Sequence, residues 1–369
     1  MEETKVLTEE ERKKRREERR KRKKYRLLIL LLLLFGTGVM LATSTYAWFT
    51  SNKTVSVNSL SVSIDAKNGI QISADGTNWK SILKTTDITG ARTTYPTSVN
   101  QLPDILEPVS TGGVVNATGK LPMYYGTVET STSETNGGEY ILTSKKDVET
   151  ESNGPTSNGK FIAFDLFFKV ATDTNIYLTP NSGVTTSDTA DGGIKNASRI
   201  AFIVLGNTTD GDTVSNIQAL NSGESSPTYI WEPNYNTHTA AGIANARDVY
   251  GNDAIASAGT IVPYSGVIGE ISKTDDILLG KATQTDNANK FKDVTISYKT
   301  KDGFTHYVPI FSLTSGITKV RIYMWVEGQD VDCENNASGG NIDFDLQITT
   351  ELPDGASTTE LPDGASTTE

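Results

Sequence analysis

Two segments near the C-terminal end of the chain alternate strictly between apolar and polar residues. The first runs from Val320 to Glu327 and the second from Ile342 to Thr349. A period of two is typical of a β-strand that buries one face. A Gly- and Asn-rich loop separates the segments, and we expect them to pair as antiparallel neighbours that close the domain. The apolar positions are Val320, Ile322, Met324 and Val326 in the first strand, and Ile342, Phe344, Leu346 and Ile348 in the second.

Three further segments have strand patterns of a different kind. In residues 161–170 and Arg199–Leu205, apolar residues occupy both odd and even positions, and so both faces of a strand. This predicts strands in the middle of a sandwich or under an insertion. Between Val55 and Ile64 the apolar residues change parity near Asn58-Ser59. The change predicts a bulge or a break between two short strands.

Long polar stretches separate these strand candidates and hold too few apolar residues to form a core. They are residues 127–160, 180–198, 206–228 and 270–290. We interpret them as surface loops and insertions. An Ala-rich stretch within residues 239–258 is the best candidate for a short helix. The body, residues 48–350, is therefore predicted to be an all-β antiparallel sandwich with long loop insertions.

The N-terminal part has the order of segments that is typical of a Sec export signal. Residues 1–26 hold thirteen Lys and Arg residues, and an apolar segment runs from Leu27 to Ala42. Basic residues resist translocation, so the chain that follows the apolar helix is predicted to cross the membrane. Small residues come next, and signal peptidase is expected to cut after Ala47, with Thr45 at position −3.

Two other interpretations of this segment stay open. Residues 27–49 are long enough to span a bilayer core of roughly 30 Å as an uncleaved anchor. A buried core helix is the third interpretation, but a strongly charged preceding tract argues against it. Both membrane interpretations place the body outside the cytoplasm, either secreted or at the cell surface.

Net charge divides the chain into a basic leader and an acidic body. The leader, residues 1–26, carries +6 and the whole chain −11, which leaves −17 for residues 27–369. An acidic body repels nucleic-acid phosphates, so we expect no nucleic-acid partner and interpret the basic tract as a topology determinant. The single cysteine, Cys333, allows no intrachain disulfide, so the body must rely on its hydrophobic core.

The last segment, residues 351–369, contains a nine-residue repeat whose copies begin at Glu351 and Glu360. Its composition of Pro, Gly, Ser and Thr cannot bury a core and predicts a flexible, solvated tail. Each copy contains a Leu-Pro pair, but Asp-Gly-Ala follows it where a sortase signal has x-Thr-Gly. Sortase anchoring is therefore not expected.

Residues that could carry catalysis are sparse. The two histidines are His238, in a loop-like stretch, and His306, beside a predicted strand, and we interpret both as ordinary surface or strand residues. Gly280-Lys281 lacks the glycine spacing of a phosphate-binding loop. We expect a protein that is not an enzyme. A secreted carbohydrate-active sandwich with two opposed carboxylates is the catalytic alternative.

One loop holds a dense acidic constellation, with Asp330, Asp332 and Glu334 at alternate positions. Ca²⁺ takes carboxylate and carbonyl oxygens from loops of this kind, so these residues form a candidate calcium site. A plain hairpin loop is the alternative, because the loop lacks the Gly and Glu positions of an EF-type site. No other cofactor is expected. Cys333, in the same loop, is a free thiol, a cross-link between subunits, or a buried apolar residue.

The sequence STYAWFTSN at residues 44–52, followed by VSVNSLSVSI, resembles the start of the TasA/camelysin family of exported Gram-positive proteins. The resemblance covers residues 27–66, and residues 320–348 are similar to the C-terminal hairpin of relatives of that group. It implies a jelly-roll-like β-sandwich that is exported with a dedicated signal peptidase. Members of the family form biofilm matrix fibres in which the N-terminal strand of one subunit completes the sheet of the next. The metalloprotease activity ascribed to some members is not carried over, because this chain has no zinc motif.

Carried onto this chain, the resemblance implies a donor strand within residues 48–64. The predicted function is that of an exported structural subunit of an extracellular matrix filament, which adds its strand to a neighbouring copy. Its partners are further copies of itself, and signal peptidase and the Sec machinery during export. A membrane-anchored surface adhesin or binding module is the alternative. The donor side chains are Trp48, Phe49, Val55, Val57, Leu60, Val62 and Ile64.

Overall fold

A computed structural model gives the fold of most of the body. The described residues are 54–65, 69–147, 159–188, 192–248, 264–299, 308–334 and 338–350. The chain divides into two compact units, Met1–Thr45 and Tyr46–Glu369, and all described residues belong to the second. None of the helices in these ranges is long and apolar enough to cross a membrane. Predictions on Thr45, Ala47, Trp48, Phe49, His306, the apolar segment 27–49 and the tail 351–369 lie outside the described residues.

The described chain is mostly β-structure with a few short helices, which confirms the all-β class. The strands are β1 (Val55–Asp65), β2 (Gln71–Ser73), β3 (Ile82–Leu83), β4 (Asn100–Gln101), β5 (Ile105–Leu106), β6 (Val109–Ser110), β7 (Tyr124–Thr130), β8 (Tyr140–Lys146), β9 (Ile162–Val170), β10 (Thr174–Leu178), β11 (Gly183–Thr185), β12 (Ser198–Thr208), β13 (Thr228–Glu232), β14 (Ser265–Val267), β15 (Phe291–Asp293), β16 (Tyr298–Lys299), β17 (Phe311–Leu313), β18 (Gly316–Val326) and β19 (Asn341–Thr349). The α-helices are α1 (Thr85–Gly90), α2 (Val214–Ala219), α3 (Ala240–Asp248) and α4 (Gln284–Asn287), and the 3₁₀ helices are Ala91–Thr93, Gly223–Ser225, Lys273–Asp275 and Leu279–Lys281.

Two large sheets dominate the body. In the first sheet the strand order is β17-β10-β19-β1-β3, with β11 beside β19 and β5 beside β1. In the second sheet the order is β16-β13-β12-β18-β9-β2, with β4 beside β9. Pairing is antiparallel except between β1 and β19 and between β13 and β16, which are parallel. The predicted antiparallel arrangement therefore holds for most strand pairs but not for these two.

A main core joins the two large sheets. Its members include Phe164 of β9 and Val320 of β18 from the second sheet, and Phe344 and Leu346 of β19 from the first. The two alternating C-terminal strands thus contribute to one core from different sheets, so the prediction that they pair as a hairpin is wrong. Alternation specifies which face of a strand is buried but not its hydrogen-bonded neighbour.

The outer face of the second sheet carries a second core. Ala163 of β9, Ala201 of β12 and Trp325 of β18 pack there against residues of the insertion between β5 and β7, such as Val115 and Leu121. This packing confirms that the strands predicted from 161–170 and Arg199–Leu205 lie under an insertion. It also buries the residues that alternate with the apolar positions of β18, which the sequence pattern placed on the solvent-exposed face.

Two local predictions are confirmed, and the loop prediction is wrong in part. The pairing of β1 with β19 shifts register between Val57 and Ser59, where the bulge was expected. Helix α3 lies within the predicted helical stretch. The stretch 180–198, expected to be loop, contains β11, which pairs with β19. The stretch 127–160, also expected to be loop, contains β8, which pairs with β7. Its Leu142 is buried against Ile271 and Phe291 in a separate small core, so a few apolar residues are enough to fold this polar stretch.

Candidate functional site

The strand that carries the predicted donor residues lies in the sheet of its own chain. β1 pairs with β19 from Ser56 opposite Asn341 to Asp65 opposite Thr349. Its other side pairs with β5 near its start and with β3 near its end. β10 and β11 occupy the opposite side of β19. β1 therefore covers one whole edge of β19, and we call this position the β1 slot.

The donor side chains that the structure describes belong to the main core. Val55 and Val62 are buried, and Val57 and Leu60 are half-buried against that core. The backbone of Ile64 pairs with Ile348. Burying one such side chain contributes roughly 1.5–3 kcal/mol, so β1 is an integral part of the sandwich.

Polar contacts also hold β1 in register. The Ser59 hydroxyl donates to Asp343 Oδ1 at 2.7 Å, and the Thr85 hydroxyl donates to the carbonyl of Leu60 at 2.7 Å. Only residues 66–70 separate β1 from the next strand, and Gly69 has a φ of 77°, a left-handed conformation that favours glycine.

The acidic loop between β18 and β19 contains the predicted calcium ligands, but they turn to different partners. Asp330 pairs with the buried guanidinium of Arg199, which also donates to Glu232 Oε1 at 2.7 Å. Burial by itself would lower the pKa of Arg199. Attraction to Glu232 and Asp330 is stronger than this effect, so the pKa of the arginine is raised. The two carboxylates therefore share one cation.

Asp332 holds the start of α3. Its Oδ1 accepts from the backbone N–H of Thr239 at 2.9 Å, and its Oδ2 lies 2.8 Å from His238 Nδ1. Burial raises the pKa of Asp332, and the contact with His238 opposes the rise. His238 was expected to be an ordinary surface residue, but only 6% of its side chain is exposed. A Cβ on Gly242 would lie 2.2 Å from Asp332 Oδ1, so the helix approaches the carboxylate closely.

Two more carboxyls of this region are buried. Glu334 is only 2% exposed, and its Oε1 has no hydrogen-bond partner among the residues that the structure describes. Burial together with the charge of Asp332 raises the pKa of Glu334 to about 8. Glu327 accepts from Trp325 Nε1 at 3.0 Å and from the backbone N–H of Gln329 at 3.1 Å. Burial raises the pKa of Glu327 to about 7.

These contacts bear on the predictions made for the loop. Across the described ranges, no group of three or more His, Cys, Asp or Glu side chains could hold a metal ion. Calcium binding by Asp330, Asp332 and Glu334 stays a prediction. The alternative of a plain hairpin loop is wrong, because the loop joins strands of different sheets. Cys333 is fully buried in the main core, as the apolar interpretation expects.

Sequence reasoning missed a buried charged cluster between β9 and β18. Arg321 Nε lies 2.7 Å from Asp165 Oδ1, and Lys319 Nζ lies 3.4 Å from Asp165 Oδ2. The Lys319 ammonium also donates to the Tyr95 hydroxyl at 2.7 Å. Asp165 interrupts a mostly apolar run, which was the available signal. Its partners Lys319 and Arg321 are buried by segments that are distant in the sequence and include Tyr95, Gly119 and Gln218.

A cleft of about 330 Å³ beside β3 and α1 is lined by two carboxylates, Asp75 and Asp87. Hydrogen bonds from Asn78, Thr94 and Thr77 outweigh burial and lower the pKa of Asp75 to about 2. The pKa of Asp87 is lowered by its bond to Lys80. A glycosidase needs one carboxyl that keeps its proton at working pH. This pair therefore does not support the carbohydrate-active alternative.

Comparison with protein-family models, with curated proteins and with solved structures finds no match to this chain. We therefore infer a function from the geometry of the β1 slot and of the acidic loop between β18 and β19.

Proposed function

We propose that this chain is an exported structural subunit of an extracellular filament, and that it polymerises by exchanging β1 between neighbouring copies. The observation that carries the proposal is the pairing of the first described strand with β19, along one whole edge of that strand. The proposal includes export directed by residues 1–47 and a jelly-roll topology for the sandwich. The first sheet is completed by a segment from the start of the chain, which a neighbour can supply as well.

Exchange keeps the contacts of the β1 slot. The strand of a neighbour has the same sequence, so Val55 and Val62 enter the same core and Ser59 meets the same Asp343. An empty slot would leave β19 with unpaired N–H and C=O groups, which favours strand addition. A head-to-tail exchange produces a filament when its rotation does not close into a ring.

Disulfide trapping tests the exchange directly. Ser61 of β1 lies opposite Asp345 of β19. In a background without Cys333, one chain carries Ser61→Cys and another carries Asp345→Cys. The two are mixed, assembled and oxidised. We expect a disulfide-linked pair of chains, because in the filament Ser61 of one copy faces Asp345 of the next.

A second pair of positions provides the control. Asn175 of β10 lies opposite Ser312 of β17, both in the first sheet and away from β1. Mixed chains with Asn175→Cys and Ser312→Cys should not be cross-linked, because that pairing stays within one subunit. Monomers in the electron microscope, with no cross-link between Ser61→Cys and Asp345→Cys chains, would reject strand exchange. Monomers that retain residues 1–26 after export would support the anchored adhesin instead.

A further inference from the structure

The charged cluster on the outer face of the second sheet contains one cation more than a simple salt bridge. Asp165 lies between two cations, Lys319 and Arg321, and all three side chains are at least nine-tenths buried. The rings of Tyr95 and Phe167, with centroids 5.2 and 5.8 Å from Lys319 Nζ, pack against the lysine. One carboxylate thus faces two buried cations, a costly arrangement in an apolar interior.

The Lys319 amine lies next to the Asp165 carboxyl and is shielded from water. Its Nζ is 3.4 Å from Asp165 Oδ2, and its other acceptors are the Tyr95 hydroxyl at 2.7 Å and the carbonyl of Gln218 at 2.8 Å. Burial lowers the pKa of Lys319, although Asp165 opposes the shift. A lysine in this setting gives up its proton more readily than an exposed one.

Arg321 fixes the carboxyl in place. Its Nε and Nη2 lie 2.7 and 3.2 Å from the two oxygens of Asp165, and its Nη1 donates to the carbonyl of Gly119 at 3.0 Å. This two-point contact prevents the carboxyl from turning away from Lys319. It also places a cation where negative charge would develop if a nucleophile attacked the carboxyl carbon.

We propose that Lys319 and Asp165 condense into an intrachain amide that links β18 to β9, with release of one water molecule. The reaction joins an ammonium and a carboxylate that are already in contact, so no oxidant, reductant or activated co-reactant is needed. Holding the two groups together replaces a bimolecular step with a unimolecular one.

The protons balance within the cluster. The Lys319 ammonium first passes a proton to Asp165 Oδ2, and the nitrogen lone pair then attacks the carboxyl carbon. Arg321 stabilises the oxyanion of the tetrahedral centre. A second proton leaves the nitrogen through the Tyr95 hydroxyl and reaches the departing oxygen. The C–O bond breaks, water leaves, and the amide nitrogen keeps one hydrogen.

Asp165 begins this sequence as a carboxylate. Burial raises its pKa, but Arg321 and Lys319 lower the value further, and the net shift is downward. The first proton must therefore come from Lys319 and not from solvent. After condensation one cation and one anion have disappeared together, so the net charge buried in the cluster is unchanged. Arg321 then donates to the amide oxygen.

The amide would give this protein an intrachain covalent cross-link, which its cysteine content cannot provide. A single cysteine allows no intrachain disulfide, yet an exported filament subunit benefits from a covalent tie across its core. Asp165 and Lys319 are 154 positions apart in the sequence, so the amide closes a long loop and restricts the unfolded chain strongly.

Intact-mass spectrometry of the denatured full chain tests the proposal. We expect the wild-type mass to lie about 18 Da below that of the linear sequence, because one water is lost. Proteolysis should release a branched peptide that contains both Lys319 and Asp165. Lys319→Arg keeps the charge but should have the full linear mass. This readout is independent of filament assembly, so its failure would not affect the proposed function.

Lys160 and Glu107 provide the matched control. Their charged atoms lie closer together, at 2.7 Å, but both side chains are partly exposed to water. Lys160→Arg should therefore keep the mass deficit and the branched peptide. The proposal is overturned if folded wild type has the full mass and yields separate linear peptides with Lys319 and Asp165. This comparison needs only the wild-type chain, so it holds even if Lys319→Arg does not fold.

Discussion

Replacing Glu327 with glutamine should remove one source of pH dependence from the stability of the protein. Glu327 is fully buried at the end of β18 and accepts from Trp325 Nε1 and from the backbone N–H of Gln329. Burial raises its pKa from the ordinary value of 4.5 to about 7. The side chain is therefore protonated in the folded protein at a pH where it is ionised in the unfolded chain.

The sign and size of the effect follow from this difference. Between pH 4.5 and 7 the folded state binds more protons than the unfolded state at Glu327, so its contribution to stability falls as the pH rises. The contribution is fully present below pH 4.5 and is lost by pH 8. A shift of this size corresponds to about 3 kcal/mol.

Glutamine removes the titration but has one fewer oxygen to accept hydrogen bonds. Either Trp325 Nε1 or the N–H of Gln329 loses its acceptor, at a cost of about 1 kcal/mol at every pH. Glu327→Gln should thus be about 1 kcal/mol less stable than wild type at pH 4.5, and about 2 kcal/mol more stable at pH 8. Urea unfolding of both proteins at the two pH values measures this, and the difference at each pH cancels other titrating groups.

Glu129→Gln on the exposed surface serves as the control, and its effect should stay within about 0.5 kcal/mol at both pH values. A Glu327→Gln variant that is less stable than wild type by the same amount at pH 4.5 and 8 would refute the reasoning. That result would mean that Glu327 is as easily ionised in the folded protein as in the unfolded chain.

Three further changes test the packing around the β1 slot and the acidic loop by urea unfolding. Gly242→Ala should destabilise the protein by about 1–3 kcal/mol although alanine favours helices, because its Cβ would meet Asp332; a stabilised variant would contradict this close approach. Arg199→Met should cost about 3–5 kcal/mol, since two buried carboxylates lose their cation, and a neutral outcome would contradict the pairing. Leu346→Ala should cost about 2–5 kcal/mol and weaken binding of β1, and an unchanged midpoint would show that the slot is not packed as described.

Local pattern was sufficient to predict several elements. The change of parity near Asn58-Ser59 located the bulge in β1, because an extra residue must reverse the side-chain alternation. The apolar runs at 161–170 and Arg199–Leu205 indicated strands covered on both faces, and the second core covers them. These features depend on near neighbours in the chain.

Other features could not be predicted, because they depend on residues far away in the sequence. Val320 and Leu346 alternate equally well whether their strands pair with each other or face each other across a core. The parallel partner of β1 comes from the other end of the body. The sequence pattern specifies neither the sheet that a strand joins nor its partner strand.

The chemistry of charged residues shows the same division. Composition by itself determined that the body is acidic, has no pair of cysteines and must be held together by its core. Whether Asp330, Asp332 and Asp165 meet water, a helix N-terminus or a cation was decided only by tertiary structure. The physical reason is that the insertion and the acidic loop between β18 and β19 exclude water from these carboxylates. Burial changes both the partners and the pKa of a charged group.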